Sequence, residues 1–155
     1  ITMDTGYPDT GDAMLLAAYP ASFLSGETIE KSLYASSALA TVTQLFTFDD
    51  RTKKIDLFSI GGTVVSQAGS SGGAVVRQSD GTLAGIIATA TDGISTAERD
   101  LRAVTISHIH STLQAEGVGG ILGLLSGDLP AKAATFEATI APAERAALEA
   151  VLNRQ

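Results

Sequence analysis

The residues whose types and spacing best suit chemistry are Gly69-Ser70-Ser71-Gly72-Gly73, two serines enclosed by glycines. Glycine allows the positive φ angles and tight turns that other residues avoid. A serine in such a turn has an exposed hydroxyl, and the backbone N–H groups around it converge on one point. Acyl transfer needs this combination, because its nucleophile must lie beside donors that stabilise a developing oxyanion. The loop therefore predicts a site for acyl transfer.

Segments of strand character flank the loop. Gly62 to Val65 is an apolar, β-rich run that leads into it. Val75 to Ile87 contains Asp80-Gly81, and an Asp-Gly pair between apolar segments predicts a β-hairpin. Thr41–Phe48 and Ile55–Ile60 enclose a charged tip, which predicts a second hairpin. These patterns predict an antiparallel β structure around the loop.

The other segments are a strand and several stretches with helical or mixed character. Ala13 to Ala18 is fully apolar and predicts a short strand, whereas Glu27 to Ser37 is compatible with helix or strand. Ile106 to Leu113 has the apolar spacing of an amphipathic helix. Gly117 to Pro130 is glycine-rich and predicts a linker or strand-like extension. Pro142 begins a final amphipathic helix.

The loop resembles the nucleophile loop of chymotrypsin-fold (trypsin-like) serine proteases, of the bacterial kind with a polar residue in place of the usual Asp before the serine. Gly81 to Ala90 is similar to the next strand of that family. Arg102 to Ser107 is similar to its closing strand and the start of its terminal helix. Gly11 to Pro20 is similar to the strand that opens its second barrel. The resemblance covers about residues 11 to 115, in family order.

The resemblance implies an all-β fold: a six-stranded antiparallel Greek-key barrel, the second lobe of such a protease, followed by C-terminal helices. Residues 1–115 would form this barrel lobe, 116–141 a linker or extension, and 142–155 the C-terminal amphipathic helix. The resemblance also implies a polypeptide substrate and a secreted or periplasmic location.

The resemblance further assigns roles to individual residues. Ser71 would be the nucleophile, and the backbone N–H groups of Gly69 and Ser71 would form the oxyanion hole. Ser70 replaces the acid that pairs with a new N-terminal amine in the digestive enzymes, so we expect no activation by that ion pair. The substrate-specificity pocket would be lined by two short segments: Ser66, Gln67, Ala68, Ala88, Thr89 and Ala90. Because none of these six is charged, we expect small or medium uncharged side chains to be preferred.

The matched residues include no counterpart of the base that activates the serine in this family. His108 and His110 are the two histidines of the chain, and we expect both to be helix residues and not bases. The family supplies its His and Asp from a first barrel, upstream of the matched residues. We therefore expect a serine endopeptidase whose nucleophile, oxyanion hole and pocket lie here, and whose isolated chain is inactive.

Three alternatives use other features. The triplets Asp4-Thr5-Gly6 and Asp9-Thr10-Gly11 occur in aspartic proteases, but there they lie between apolar strands. Ser71, Asp100 and His108 follow the chain order of an α/β-hydrolase esterase, whose serine must begin a helix. The third alternative is an inactive protease-like module that binds peptides.

Composition excludes several other classes. The 155 residues carry a net charge of −7, which disfavours binding to nucleic acid. There is no cysteine, which excludes disulfides and thiolate metal sites. No apolar run approaches the roughly 20 residues needed to span a bilayer. We expect no cofactor and no metal.

Overall fold

The computed structural model describes residues 2–20, 35–95 and 97–153. Seven strands and four helices lie in these ranges. The strands are β1 (Ala13–Ala18), β2 (Ser36–Thr41), β3 (Gln44–Phe46), β4 (Leu57–Ser59), β5 (Ala74–Arg77), β6 (Leu83–Ala90) and β7 (Leu101–Thr105). The helices are α1 (Ile106–Ala115), α2 (Gly120–Leu124), α3 (Leu129–Thr139) and α4 (Ala141–Leu152).

The strands form one curled sheet with the order β2-β1-β5-β6-β7-β4-β3, and every neighbouring pair is antiparallel. β2 and β3 occupy opposite edges, although only Val42 and Thr43 separate them along the chain. The Val42 N–H donates to the Asp12 carbonyl at 3.0 Å, and the Thr43 N–H donates to the Ser59 carbonyl at 2.8 Å. The sheet has seven strands where we expected six, because this break divides the stretch 36–46 into two.

The core lies on the concave side of this sheet. In β1 the side chains alternate, so that Met14, Leu16 and Ala18 are buried. Phe58 of β4 and Leu101 of β7 complete the same apolar cluster. Each large buried side chain stabilises the fold by roughly 1.5–3 kcal/mol. This packing holds the loop between β4 and β5 at one end of the sheet.

The strand predictions are mostly confirmed. β1 has the predicted bounds, and β3–β4 and β5–β6 are the two predicted hairpins. The predicted strand at Gly62 to Val65 is wrong, because this run is a turn. The Ser66 N–H donates to the Thr63 carbonyl at 2.9 Å, and the Thr63 N–H donates to Ser66 Oγ at 2.8 Å. Of the ambiguous stretch 27–37, residues 27–34 lie outside the described residues, and β2 begins at Ser36.

Helices α2 and α3 occupy the region where we expected a linker or strand-like extension. The Asp128 carboxylate accepts a hydrogen bond from the Ala131 N–H at 3.0 Å and caps α3. All residues of α3 and α4 are at least partly exposed. None of the helices that the structure describes is long and apolar enough to cross a membrane. The division into a barrel lobe, an extension and a terminal helix stays a prediction.

Candidate active site

The loop Gln67 to Gly73 is closed by its own backbone and is tied to β6. The Ser70 N–H donates to the Gln67 carbonyl at 3.2 Å, and the Gly73 N–H donates to the Ser70 carbonyl at 3.0 Å. Two hydrogen bonds join the loop to Ile87 of β6. The Ile87 N–H donates to the Gly73 carbonyl at 2.8 Å, and the Gly72 N–H donates to the Ile87 carbonyl at 2.8 Å. The loop is therefore a pair of tight turns anchored on a central strand.

Gly73 is required because the backbone of β1 and a side chain of β6 lie against it. A Cβ at this position would lie 2.7 Å from Ala18 Cβ, 2.8 Å from the Ala17 carbonyl oxygen and 2.9 Å from Ile87 Cδ1. We expect Gly73→Ala to lower the free energy of unfolding by about 1–3 kcal/mol, because the added methyl group would clash with these neighbours. Urea unfolding of the two proteins measures the difference.

Gly72→Ala is the matched control for this prediction. Gly72 has a φ of 87°, and a Cβ there meets no atom within 4 Å. Its replacement adds left-handed backbone strain but no clash, at a cost of about 1 kcal/mol. If Gly73→Ala destabilised the protein less than Gly72→Ala, the proposed overpacking would be wrong.

Ser71 is exposed at the tip of the loop, and its Oγ donates a hydrogen bond to the Ala88 carbonyl at 3.2 Å. β5 begins three residues later, at Ala74. The loop thus leads into a strand. An α/β-hydrolase nucleophile must begin a helix, so this geometry excludes the esterase alternative.

The neighbouring serine lies in the opposite environment. Ser70 is 2% exposed, and its hydroxyl has no hydrogen-bond partner within the described part of the chain. A buried hydroxyl without a partner costs stability and is unavailable to a substrate. Of the two adjacent serines, only Ser71 can therefore meet a substrate without rearrangement of the loop.

Two backbone amides beside Ser71 make no hydrogen bond to any described residue. The N–H groups of Ser70, Gly72 and Gly73 all donate to carbonyls, as described above. Those of Gly69 and Ser71 make no backbone hydrogen bond to any residue in 2–20, 35–95 or 97–153. Gly69 has a φ of 90°, a conformation that favours glycine. Two unused donors next to an exposed hydroxyl are what an oxyanion site needs.

Cavities open on two sides of Ser71. One has a volume of about 360 Å³ and is apolar, with the aromatic ring of Tyr19 at its wall and small residues elsewhere. Its small lining residues are Ala17, Ala18, Ala35, Gly69, Ser71, Gly72, Gly73 and Ala74. The other has a volume of about 300 Å³ and is polar, lined by Ser66, Gln67, Ala68, Ser71, Ala90, Thr91, Asp92 and Arg99. A polypeptide could place side chains on either side of the serine.

The polar cavity differs from the sequence expectation in its charge. Four of the six predicted pocket residues line it, whereas Ala88 and Thr89 do not. Asp92 and Arg99 line it as well, so the expectation of an uncharged pocket does not hold for this cavity. Sequence reasoning missed both, because they belong to a loop whose charges carried no motif. The polar composition of this loop between β6 and β7 was the only sequence feature that could have indicated these two residues.

The two histidines lie in helix α1, as expected. His108 Nδ1 lies 2.7 Å from Asp56 Oδ1, and its ring packs edge-on against Phe48 with centroids 5.1 Å apart. His110 Nδ1 is buried without a hydrogen-bond partner among the described residues. The Ser71 hydroxyl donates to the Ala88 carbonyl, and no hydrogen bond joins it to either histidine among the described residues.

Asp56 connects helix α1 to the sheet through a contact with His108. Burial of this carboxyl raises its pKa, but hydrogen bonds from the Phe48 N–H, the His108 ring and the Thr47 hydroxyl outweigh burial and hold the pKa below its usual value. A carboxylate whose pKa is lowered by folding stabilises the protein above its unfolded pKa, which is about 3.9. That stabilisation is lost as the pH falls through the folded-state pKa.

We therefore expect Asp56→Asn to destabilise the protein by about 1–3 kcal/mol at pH 7. The difference from wild type should shrink below about pH 4, where Asp56 becomes protonated in the unfolded chain, and should vanish once the pH has fallen below the folded-state pKa. Urea unfolding between pH 3 and pH 7 measures it, with the exposed Asp50→Asn as a control. A difference that stayed constant across this range would contradict the assigned role of the charge.

The remaining acidic candidates are occupied by structural contacts. The Asp4 carboxylate pairs with Arg77, so it cannot share a proton in an aspartic-protease dyad. Asp100 accepts from Ser59 Oγ and pairs with Arg102 at 2.8 Å, and not with His108. Within the described ranges, no three His, Asp or Glu side chains are grouped so that they could hold a metal ion.

Comparison with known proteins gives fold similarity at low sequence identity. No family model and no curated protein matches the chain. Rv3671c from M. tuberculosis H37Rv, solved as a serine-to-alanine mutant in its inactive form, is 16% identical with a TM-score of 0.51; the match covers 76% of this chain and 53% of that one. Kallikrein-related peptidase 10 is 21% identical with a TM-score of 0.47; the match covers 75% of this chain and 55% of that one.

The chain therefore spans about half the length of each of these two structures. At such identities, likeness concerns the fold alone. The curled, mostly antiparallel sheet followed by C-terminal helices is compatible with a chymotrypsin-like fold.

Proposed function

We propose that this chain is the C-terminal lobe of a trypsin-like serine endopeptidase, with Ser71 as the nucleophile. In this interpretation β2 and β3 are one bent strand of a six-stranded Greek-key barrel. The observation that carries the proposal is the exposed Ser71 hydroxyl between two cavities, in a loop with two unused amide donors. Peptide-bond hydrolysis would proceed through an acyl-enzyme on Ser71 Oγ.

The amides of Gly69 and Ser71 would stabilise the tetrahedral intermediate. Such a donor contributes about 2.7–4 kcal/mol to transition-state stabilisation. Glycine at position 69 supports this role, because its φ of 90° orients the peptide unit in a way other residues resist. Ser66, Gln67, Ala68 and Ala90 would then bind the substrate side chain before the cleaved bond.

A second lobe would supply the general base and its orienting carboxylate. A serine hydroxyl is a weak nucleophile until a base accepts its proton. Both histidines lie in α1, and no hydrogen bond joins either of them to Ser71 among the described residues. The match to about half of one similar structure, that of Rv3671c, supports a second lobe, with substrates bound between the two lobes.

The alternative is an inactive protease-like module that binds peptides. One observation favours it: the Ser71 hydroxyl donates to the Ala88 carbonyl and not to a base. The same cavities would then bind polypeptide without cleaving it.

Cleavage of an unstructured polypeptide separates the two proposals. The test uses the two-lobed protein, meaning the natural polypeptide that contains both these residues and the first barrel. We expect cleavage that a serine-directed fluorophosphonate abolishes. Saturable binding without any cleavage, under conditions where the protein is folded, would reject the endopeptidase in favour of the module.

A further inference from the structure

We propose that the polar cavity beside Ser71 selects substrates with a carboxylate side chain, glutamate or aspartate, on the acyl side of the cleaved bond. The inference rests on the proposed function, since it names the substrate class of the same site. It replaces the expectation of small or medium uncharged side chains. The group that carries it is the Arg99 guanidinium.

Ser71 and Arg99 line the same cavity of about 300 Å³. This volume is at the lower end of the roughly 300–1,000 Å³ that small-ligand sites occupy, so one side chain fits and a large ligand does not. In the proposed function, Ser66, Gln67, Ala68 and Ala90 of this cavity bind the side chain before the cleaved bond. Arg99 is then the cation that this side chain meets.

The backbone of the nucleophile loop fixes the position of Arg99. Its Nη1 donates to the Ser66 carbonyl at 3.0 Å and to Gln67 Oε1 at 3.0 Å. A guanidinium has five N–H donors in a rigid fork, so three of them are left at Nη2 and Nε. These donors match a carboxylate in a two-point hydrogen-bonded geometry, whereas a neutral amide can accept at one oxygen only.

Within the described residues, Arg99 has no carboxylate partner, unlike the other partly buried arginines. Arg77 pairs with Asp4, Asp12 and Asp80, and Arg102 pairs with Asp100. No carboxylate of the described residues lies within ion-pair distance of Arg99, although it is partly buried as well. Partly buried cations are normally paired, and a substrate carboxylate would complete this pair.

Asp92 opposes this selection, but its electrostatic effect in the cavity is weaker than that of Arg99. It lines the same cavity, and its carboxylate repels an acidic side chain. Asp92 is exposed, however, whereas Arg99 is partly buried. Water and salt screen an exposed charge more strongly than a buried one, so the field within the cavity is dominated by the guanidinium.

The test compares peptides that differ only at the residue before the cleaved bond: Glu, Asp, Gln, Leu or Lys. With the two-lobed protein, we expect kcat/KM for Glu to exceed that for Gln by about tenfold or more, as a charge-assisted hydrogen bond provides. Arg99→Gln should remove this preference, so that its kcat/KM for the Glu peptide falls to about that for the Gln peptide. Asp92→Asn should increase the preference for Glu over Gln.

Two further variants separate specificity from folding. Arg99→Lys keeps the charge but loses the fork, so it should retain only part of the preference for Glu. Arg51→Gln removes an exposed arginine that lines neither cavity and should change nothing. Equal cleavage of the Glu and Gln peptides, or a preference for Lys, by the wild-type protein would overturn the inference.

Peptide binding decides the inference even if no cleavage occurs. Calorimetry with the Ser71→Ala form of the two-lobed protein should give a dissociation constant about tenfold lower for the Glu peptide than for the Gln peptide. Such binding without turnover by the wild type would reject the proposed function and keep the inference. Turnover with equal binding of both peptides would reject the inference and keep the proposed function.

Discussion

Replacing Ser71 with alanine is expected to lower kcat of the two-lobed protein by about a million-fold, with KM nearly unchanged. The variant loses the nucleophile, but the cavities and the amides of Gly69 and Ser71 remain. These groups still bind the substrate and would leave a residual rate of about 10³–10⁴ over the uncatalysed reaction. The measurement is steady-state hydrolysis of a chromogenic peptide, with the wild type as reference.

Ser70→Ala is the matched control, because it removes the same hydroxyl from the adjacent residue. Ser70 Oγ is buried and has no partner among the described residues, so its loss should leave kcat close to wild type and should not lower stability. A Ser71→Ala protein that kept more than a tenth of wild-type kcat would contradict the role assigned to Ser71. So would a larger loss in Ser70→Ala than in Ser71→Ala.

The 155 residues alone are expected to cleave an unstructured polypeptide at least about a thousandfold more slowly than the two-lobed protein. The reason is the base: Ser71 donates to the Ala88 carbonyl, and His108 is held by Asp56. Without a base the hydroxyl remains protonated and weakly nucleophilic. The assay needs equal molar amounts of each protein, and circular dichroism to verify that the isolated residues are folded.

The isolated residues also supply the outcome that would contradict this account. Rapid cleavage that depends on Ser71 would require a base within the 155 residues. His108→Gln and His110→Gln would then identify it, and a loss of activity in either would reject the second-lobe proposal. Slow cleavage that is unaffected by both variants is the result we expect.

Local sequence signals predicted the parts of the fold that local forces determine. Asp80-Gly81 predicted the β5–β6 hairpin, because a glycine in left-handed geometry closes that turn. The glycines around Ser71 likewise predicted its exposed loop. The clustered charges between β3 and β4 predicted the other hairpin, since charged tips are solvated.

Tertiary contacts determined what the sequence could not predict. The apolar run Gly62 to Val65 has strand propensity. It forms a turn instead, because Val65 is buried in the core and the Ser66 hydroxyl accepts a hydrogen bond from the Thr63 N–H. Arg99 reaches the nucleophile loop from 33 positions away through its bond to Ser66, which no local pattern indicates. The seventh strand arises where Val42 bonds to Asp12, just before β1, while Thr43 bonds to Ser59 of β4.

The most direct test of the central claim is the site of covalent attachment of a fluorophosphonate. The two-lobed protein is treated with the reagent, digested, and mapped by mass spectrometry. We predict one adduct, on Ser71 in the peptide that joins β4 to β5, and none on the buried Ser70. An adduct on any other residue, or an unmodified Ser71 in a protein that cleaves peptides, would contradict the assignment of Ser71 as the nucleophile.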